Sequence, residues 1–382
     1  MDFDFDTPAS HEGAWSTRWE RYAGRDVIPL WVADTDFRPP LAVLDAMEER
    51  VRQGFLGYSE QPRALRDAIV ERLERRYGWR IDPSWIVFLP GVVPGLHLAA
   101  RSLSAPHEHS LVPVPVYHHL RKAPELAPRP WRAVPLVLQG GRWVLDEADL
   151  RRAMRPETRL FFLCNPQNPG GTVFNRGELA RIADATAPAV IISDEIHCDL
   201  ILDPGKPHVP IASLDREVSR RTVTLMSPNK AFSVPGAGCA WAIIEDEGLR
   251  RTFAADLEAH AIPGPSALGY VAALAGLREG QAWLSAQLSY LAANRDLVEE
   301  AVAKIPGLAL AHVEATYLAW IDCSSLGLSD PHRHFLERGL ALSPGAQFGD
   351  ARFVRLNFGT QRALLSKALE RLKTASTQIP TG

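Results

Sequence analysis

Two short apolar runs that stop abruptly constrain this chain more than any other feature. Residues 189–192 run into Ser193-Asp194-Glu195-Ile196-His197, and residues 223–226 run into Ser227-Pro228-Asn229-Lys230-Ala231-Phe232. Runs of this length without polar alternation suit strands buried on both faces of a parallel sheet. In such sheets, sites form where strands end and loops begin. The surrounding pattern agrees. Residues 86–89, 111–116, 132–138 and 160–164 read as further strands, separated by helical stretches at 92–103, 149–154 and 178–186. The order βαβα predicts a doubly wound, mostly parallel sheet, with an antiparallel edge strand expected at 238–244.

Upstream, Pro39 and Pro40 open a helix over 41–52, and a second helix is expected over 62–77, where Leu65, Ile69, Leu73 and Tyr77 recur every fourth residue. Downstream, a long helix over 281–304 precedes strands at 317–321 and 353–357 and helices at 331–338 and 360–374. This predicts a large α/β domain over 51–285 and a smaller α+β domain assembled from 1–50 and 286–382.

With 382 residues, 42 basic and 45 acidic side chains, and a net charge of −3, the chain lacks the basic block expected of a nucleic-acid binder. No apolar stretch reaches membrane-spanning length, and the acidic start Met1-Asp2-Phe3-Asp4-Phe5-Asp6 is no secretory leader. Cys164, Cys198, Cys239 and Cys323 lie in apolar surroundings without paired metal spacing, so buried free thiols in a reducing cytoplasm are expected and no metal is.

Several strand-end residues carry chemistry. A lysine at one strand end and an aspartate at another suit a pyridoxal phosphate enzyme: the lysine forms the Schiff base, and the aspartate keeps the pyridine nitrogen protonated. Taken singly, Lys230 reads better as a solvated loop lysine, and Asp194 reads equally as a loop or capping carboxylate. Gly91-Val92-Val93-Pro94-Gly95 turns a strand into a helix start and suits a phosphate, although many α/β turns look alike. Asn165-Pro166-Gln167-Asn168-Pro169-Gly170-Gly171 makes a rigid turn at a strand end. Arg355 lies between Val354 and Leu356 in an apolar strand, so it needs a carboxylate partner, from a substrate or from an internal acid.

Together these pieces resemble a fold-type I pyridoxal phosphate enzyme of the class I/II aminotransferase superfamily, and within it the cystathionine β-lyase/cysteine-S-conjugate β-lyase branch. The resemblance spans nearly the whole chain. It rests on Ser16-Thr17-Arg18-Trp19, on Pro29 through Phe37, on Asp194-Glu195-Ile196-His197 and on Val354-Arg355-Leu356-Asn357-Phe358-Gly359. His197 stands where ordinary aminotransferases usually have tyrosine. The fold implied is aspartate aminotransferase-like, with a seven-stranded-type sheet.

The resemblance also implies roles. Lys230 would be the Schiff-base lysine and Asp194 the partner of the pyridine nitrogen. Asn168, helped by His197, would bond the ring's phenolic oxygen, and Tyr117 would stack on the ring. The N–H groups of Val92 and Val93, with the Ser227 hydroxyl, would hold the phosphate. Tyr58 would reach the phosphate of a neighbouring subunit in a homodimer with shared sites. Arg355 would clamp the α-carboxylate of a small amino-acid substrate, with Asn168 and Ala33 nearby. The implied reaction is α,β-elimination on L-cystathionine or another L-cysteine S-conjugate, giving a thiol, pyruvate and ammonia. Transamination, a specialised S-conjugate or decarboxylating chemistry, and a regulatory protein that keeps the cofactor site are the rivals. Thr35, Gly170, Asn229, Ser233 and Gly238 depart from residues common in the family at those positions.

Overall fold

The structure is a computed structural model that describes residues 3–8, 10–11 and 13–378. Met1 and Asp2 of the acidic start lie outside the described residues. Its centre is an eight-stranded sheet in the order Ile86–Leu89, Ala240–Ile243, Thr222–Met226, Val190–Asp194, Thr158–Cys164, His109–Val114, Trp131–Gln139, Arg142–Leu145. From Thr222–Met226 to Trp131–Gln139, every neighbouring pair is parallel. Alternate side chains of one strand enter two different cores. Leu160 and Phe162 pack with Val112, Ile192, Val223 and Leu225, whereas Phe161 and Leu163 pack with Leu111, Ile191 and Leu179. Covered on both faces, the inner strands are mostly apolar along their length, which is why their sequences show little alternation.

The expected α/β class stands, with two corrections to the sheet. It has eight strands rather than seven, because Gly140 and Gly141, both at positive φ, turn Trp131–Gln139 back into the antiparallel strand Arg142–Leu145. Ala240–Ile243 is antiparallel as expected but is not at the edge. Ile86–Leu89 pairs outside it and runs the same way as the parallel strands.

Local signals set the helix ends. Arg176–Thr186 begins with a reciprocal cap between Asn175 and Glu178, and Arg63–Tyr77 stops at Gly78, whose φ of 63° suits glycine. The helix Leu41–Arg52 lies where the sequence puts it, packed along Ala267–Glu279.

The second sheet has four short strands in the order Ala309–Leu310, Leu318–Asp322, Phe353–Asn357, Ser343–Pro344, all antiparallel. Helices Gln281–Ala303, Pro331–Glu337 and Arg362–Thr377 pack around it. The N-terminal segment crosses to this unit, where Ile28–Pro29 pairs in parallel with Leu340–Ala341. Beyond that pairing, the backbone of Leu30 accepts from Asn357 N–H, and Asn357 Nδ2 donates to the Val32 and Asp34 carbonyls. Residues 30–36 are thereby held as a strap between the two sheets.

Candidate active site

The carboxyl ends of the parallel strands, the strap and the second sheet enclose a cavity of about 410 Å³. Val92 and Val93 follow the strand Ile86–Leu89, Tyr117 follows His109–Val114 and Asn168 follows Thr158–Cys164. Asp194 ends Val190–Asp194, with His197 just beyond it, and Ser227 and Lys230 follow Thr222–Met226. Ala33 enters from the strap and Arg355 from the strand Phe353–Asn357. All these residues line the one cavity. Tyr58 does not. It stands fully exposed on the turn after Leu41–Arg52.

The electrostatics of the cavity are unusual in that its strongest charges lack internal partners. Arg355 is buried, yet its Nη1 donates to Asn168 Oδ1 at 3.1 Å and its Nη2 to the Trp31 carbonyl at 2.9 Å and to Ser343 Oγ at 3.2 Å, all neutral groups. Its guanidinium lies 4.7 Å from the Phe348 ring centre, and its Nε has no acceptor. The carboxylate partner that the sequence demanded is absent among the described residues. Burial pulls Arg355 down to about 10, against the opposing pull of Tyr117 and Tyr317.

Asp194 is the anionic counterpart. Its Oδ1 accepts the Ile196 N–H at 3.1 Å, which opposes ionisation loss only in part. Burial pushes it up to about 7, and the charge of Glu195 acts the same way. Lys230 donates its Nζ to the Ala33 carbonyl, which also accepts the Tyr317 hydroxyl at 3.1 Å. Burial lowers Lys230 to about 8, with Arg355 acting the same way and Asp34 opposing, so deprotonation costs far less than for a free lysine. Burial, then Lys230 and Arg355, lower His197 to about 3, and its Nδ1 has no partner. It is a neutral imidazole.

Ser227 lines the cavity, but its hydroxyl donates to the Cys239 carbonyl at 2.6 Å. The start of the Val92–Ser102 helix is a second group on the cavity suited to an anion. That helix has Gly91 at its N-cap and no side chain on its first N–H groups, whereas Asp146, Asn175, Asp215, Asp246, Ser266 and Asp330 cap other helices. Uncapped N–H groups with a dipole behind them face the cavity.

Three contributors are missing from the sequence reading. Tyr317, Trp31 and Ser343 hold Ala33 and Arg355 in place through one backbone carbonyl or hydroxyl each. They come from other segments of the fold, so no local pattern reports them. The hairpin Gly140-Gly141 was a local signal, and it explains one departure. A Cβ on Gly170 would stand 2.6 Å from Trp143 Cδ1 and 2.7 Å from Gln167 Oε1, so the extra strand leaves no room for a side chain there.

Residues 25–372 match the family Aminotransferase class I and II. The chain belongs to that family. It is 33% identical to "Cystathionine beta-lyase PatB" of Bacillus subtilis over 97% of this chain and 99% of that protein. It superposes on the crystal structure of OvoB with a TM-score of 0.95 and 44% identity, over 100% of both chains. A PLP-bound C-S lyase from Staphylococcus hominis matches at TM-score 0.92 and 28% identity, over 99% of both chains.

The cavity of this family member fits pyridoxal 5'-phosphate, its cofactor. A buried lysine amine, a buried carboxylate without a cation in contact and an uncapped helix start on one cavity are groups that suit its aldehyde, its pyridine nitrogen and its phosphate.

Proposed function

We propose that this chain is a pyridoxal phosphate-dependent carbon–sulfur β-lyase acting on L-cystathionine or another L-cysteine S-conjugate. The observation that carries the reading is the pairing of Arg355, charged and without an internal acid, with the Lys230 amine in one cavity. An amino acid whose α-carboxylate meets Arg355 brings its α-carbon toward the group that would take its proton.

Lys230 would carry the cofactor, Asp194 would hold its pyridine nitrogen, Asn168 and His197 would face its phenolic oxygen, Tyr117 would cover its ring, and Val92 and Val93 would receive its phosphate. When bound, the cofactor supplies a sink for the electron pair left at Cα. Asp194 stabilises the protonated ring nitrogen, since a cation against a carboxylate held near 7 favours the ionised acid. Lys230 removes the α-proton as a base whose low pKa leaves its amine partly neutral. Arg355, fixed by Asn168, Trp31 and Ser343, keeps the carboxylate still while the Cβ–S bond breaks. The electron pair of that bond leaves with sulfur as a thiolate. The three-carbon fragment takes up water, so substrate plus water gives thiol, pyruvate and ammonium.

The reading extends to a homodimer. Leu41, Leu44 and Val51 share one stripe of a helix and lead to Phe55, 78% exposed, Leu56, 54% exposed, and Tyr58. Large apolar side chains gathered on one exposed stretch suit an interface. A second copy covering it would bring Tyr58 toward the partner's phosphate end. Four buried free cysteines suit a reducing cytoplasm. No helix among the described residues is long and apolar enough to cross a membrane.

The test is a product assay on cofactor-loaded protein with L-cystathionine and S-alkyl-L-cysteines, in the absence of any keto acid. Pyruvate and free thiol in equal amounts are expected, falling to background in Lys230→Ala. Amino transfer that appears only on adding a keto acid would replace the lyase by an aminotransferase. Failure of the protein to bind pyridoxal phosphate at all would leave the regulatory alternative.

A further inference from the structure

The turn that carries Lys230 contains a residue in a conformation its side chain disfavours. Phe232 N–H donates to the Pro228 carbonyl and Val234 N–H to the Asn229 carbonyl, each at 3.0 Å, and Ser233 has φ 57°. This is a single helical turn closed by a left-handed residue, the position where glycine or asparagine ordinarily sits. Serine gains nothing from φ there, so contacts elsewhere must hold it.

Those contacts come from the strap. Ser233 Oγ donates to the Phe37 carbonyl at 2.8 Å and lies 2.6 Å from Thr35 Oγ1. The serine hydroxyl has one proton, and the carbonyl takes it, so Thr35 is the donor in the second bond. Thr35 is itself fixed from behind: its Cγ2 lies where a side chain on Gly359 would be, 2.8 Å from that Cβ position. Two residues before Thr35 stands Ala33, whose carbonyl accepts the Lys230 amine. The strap therefore touches the lysine turn at both ends.

We propose that Thr35 and Ser233 form a hydroxyl clasp that positions Lys230 for reaction, a role resting on the pyridoxal phosphate reading above. The clasp holds the strained turn and the strap in one register, so the amine is presented from a fixed backbone. Thr35 and Ser233 are positioning residues; neither lies among those lining the cavity.

The test compares Thr35→Val, Thr35→Ser, Ser233→Ala and Ser233→Gly with wild type in three measurements. These are the rate at which apoprotein captures pyridoxal phosphate, followed by absorbance, then kcat and KM separately, and the melting temperature. Loss of one hydrogen bond in the clasp is expected to slow capture and to lower kcat about three- to tenfold, with KM changed less than twofold. Thr35→Ser keeps the hydroxyl and is expected to stay within about twofold of wild type. Ser233→Gly relaxes the turn but lacks the hydroxyl, so it should be as slow as Ser233→Ala. Thr35→Val that captures cofactor and turns over like wild type would overturn the clasp, as would a fall in melting temperature with unchanged kcat, or Ser233→Gly restoring full rates. If wild type itself captures no cofactor, the reading beneath the clasp has failed.

Discussion

Buried charges in this protein fall into two kinds. Arg18 and Arg72 lie in the interior with carboxylates of their own: Arg18 with Asp36 at 3.1 Å and Arg72 with Asp199 at 2.7 Å. Arg355 and Asp194 lie equally deep and, among the described residues, have neither each other nor any other opposite charge in bonding contact. Their acidities differ accordingly. Burial would raise Asp199, yet Arg72 and Arg76 outweigh it and hold Asp199 below the usual carboxylate range. Asp194, with no such neighbour in contact, goes up to about 7. An ion pair closed within the fold serves the fold, whereas a buried charge left open costs stability and is retained for a partner that arrives later.

The largest effect expected from breaking this contrast is on catalysis. Arg355→Leu should lower kcat/KM by about a thousandfold or more, because a charge-assisted, bidentate contact to the α-carboxylate is lost. Its melting temperature should match or exceed that of wild type, since an unpaired buried cation is removed. Steady-state kinetics with a thermal scan on the same preparation measures both.

Arg72→Leu should do the reverse. It leaves the buried Asp199 carboxylate with only Arg76 at 3.4 Å and the Tyr77 hydroxyl at 3.2 Å and should cost about 3 kcal/mol in chemical denaturation, while the folded fraction keeps its kinetic constants.

A smaller effect concerns pH. In apoprotein the folded-state pKa of Asp194, about 7, lies above its value in the unfolded chain. The folded state therefore binds that proton more tightly, and the stabilisation is full below about pH 4 and lost as pH rises toward 7. The apoprotein should lose on the order of a few kcal/mol across this window. Asp194→Asn should flatten that part of the curve, and so should loading with cofactor if, as proposed, its ring nitrogen pairs with Asp194. Melting temperature against pH for the three samples tests the sign.

Much of this was legible in the chain itself. The strands Ile86–Leu89 and Phe353–Asn357 and the helix Leu41–Arg52 lie at the residues that apolar runs and proline mark. Lys230, Asp194, Asn168, Tyr117 and His197 meet in one cavity because strands of a parallel sheet deliver their ends to one edge, and Arg355 reaches it from the antiparallel second sheet. Sequence also identified Arg355 as a charge in need of a partner, but whether that partner was internal depended on the packing around it. The hairpin at Gly140-Gly141 was readable and was missed, and with it the reason for Gly170. The inner place of Ala240–Ile243 was not readable, since an apolar run does not say which strands flank it. Nor were Tyr317, Trp31 and Ser343, whose contribution is a contact across the fold rather than a motif.

The most direct measurement of the contrast between closed and open charges is a comparison of two ligands on two proteins. S-methyl-L-cysteine and 2-(methylthio)ethylamine, which lacks the carboxylate, would be titrated into cofactor-loaded wild type and Arg355→Leu, and their affinities read from the change in absorbance. If the missing partner of Arg355 is the substrate's carboxylate, as proposed, wild type should prefer the amino acid by about a hundredfold or more, and the variant by less than about tenfold. A preference that survives intact in Arg355→Leu would contradict this.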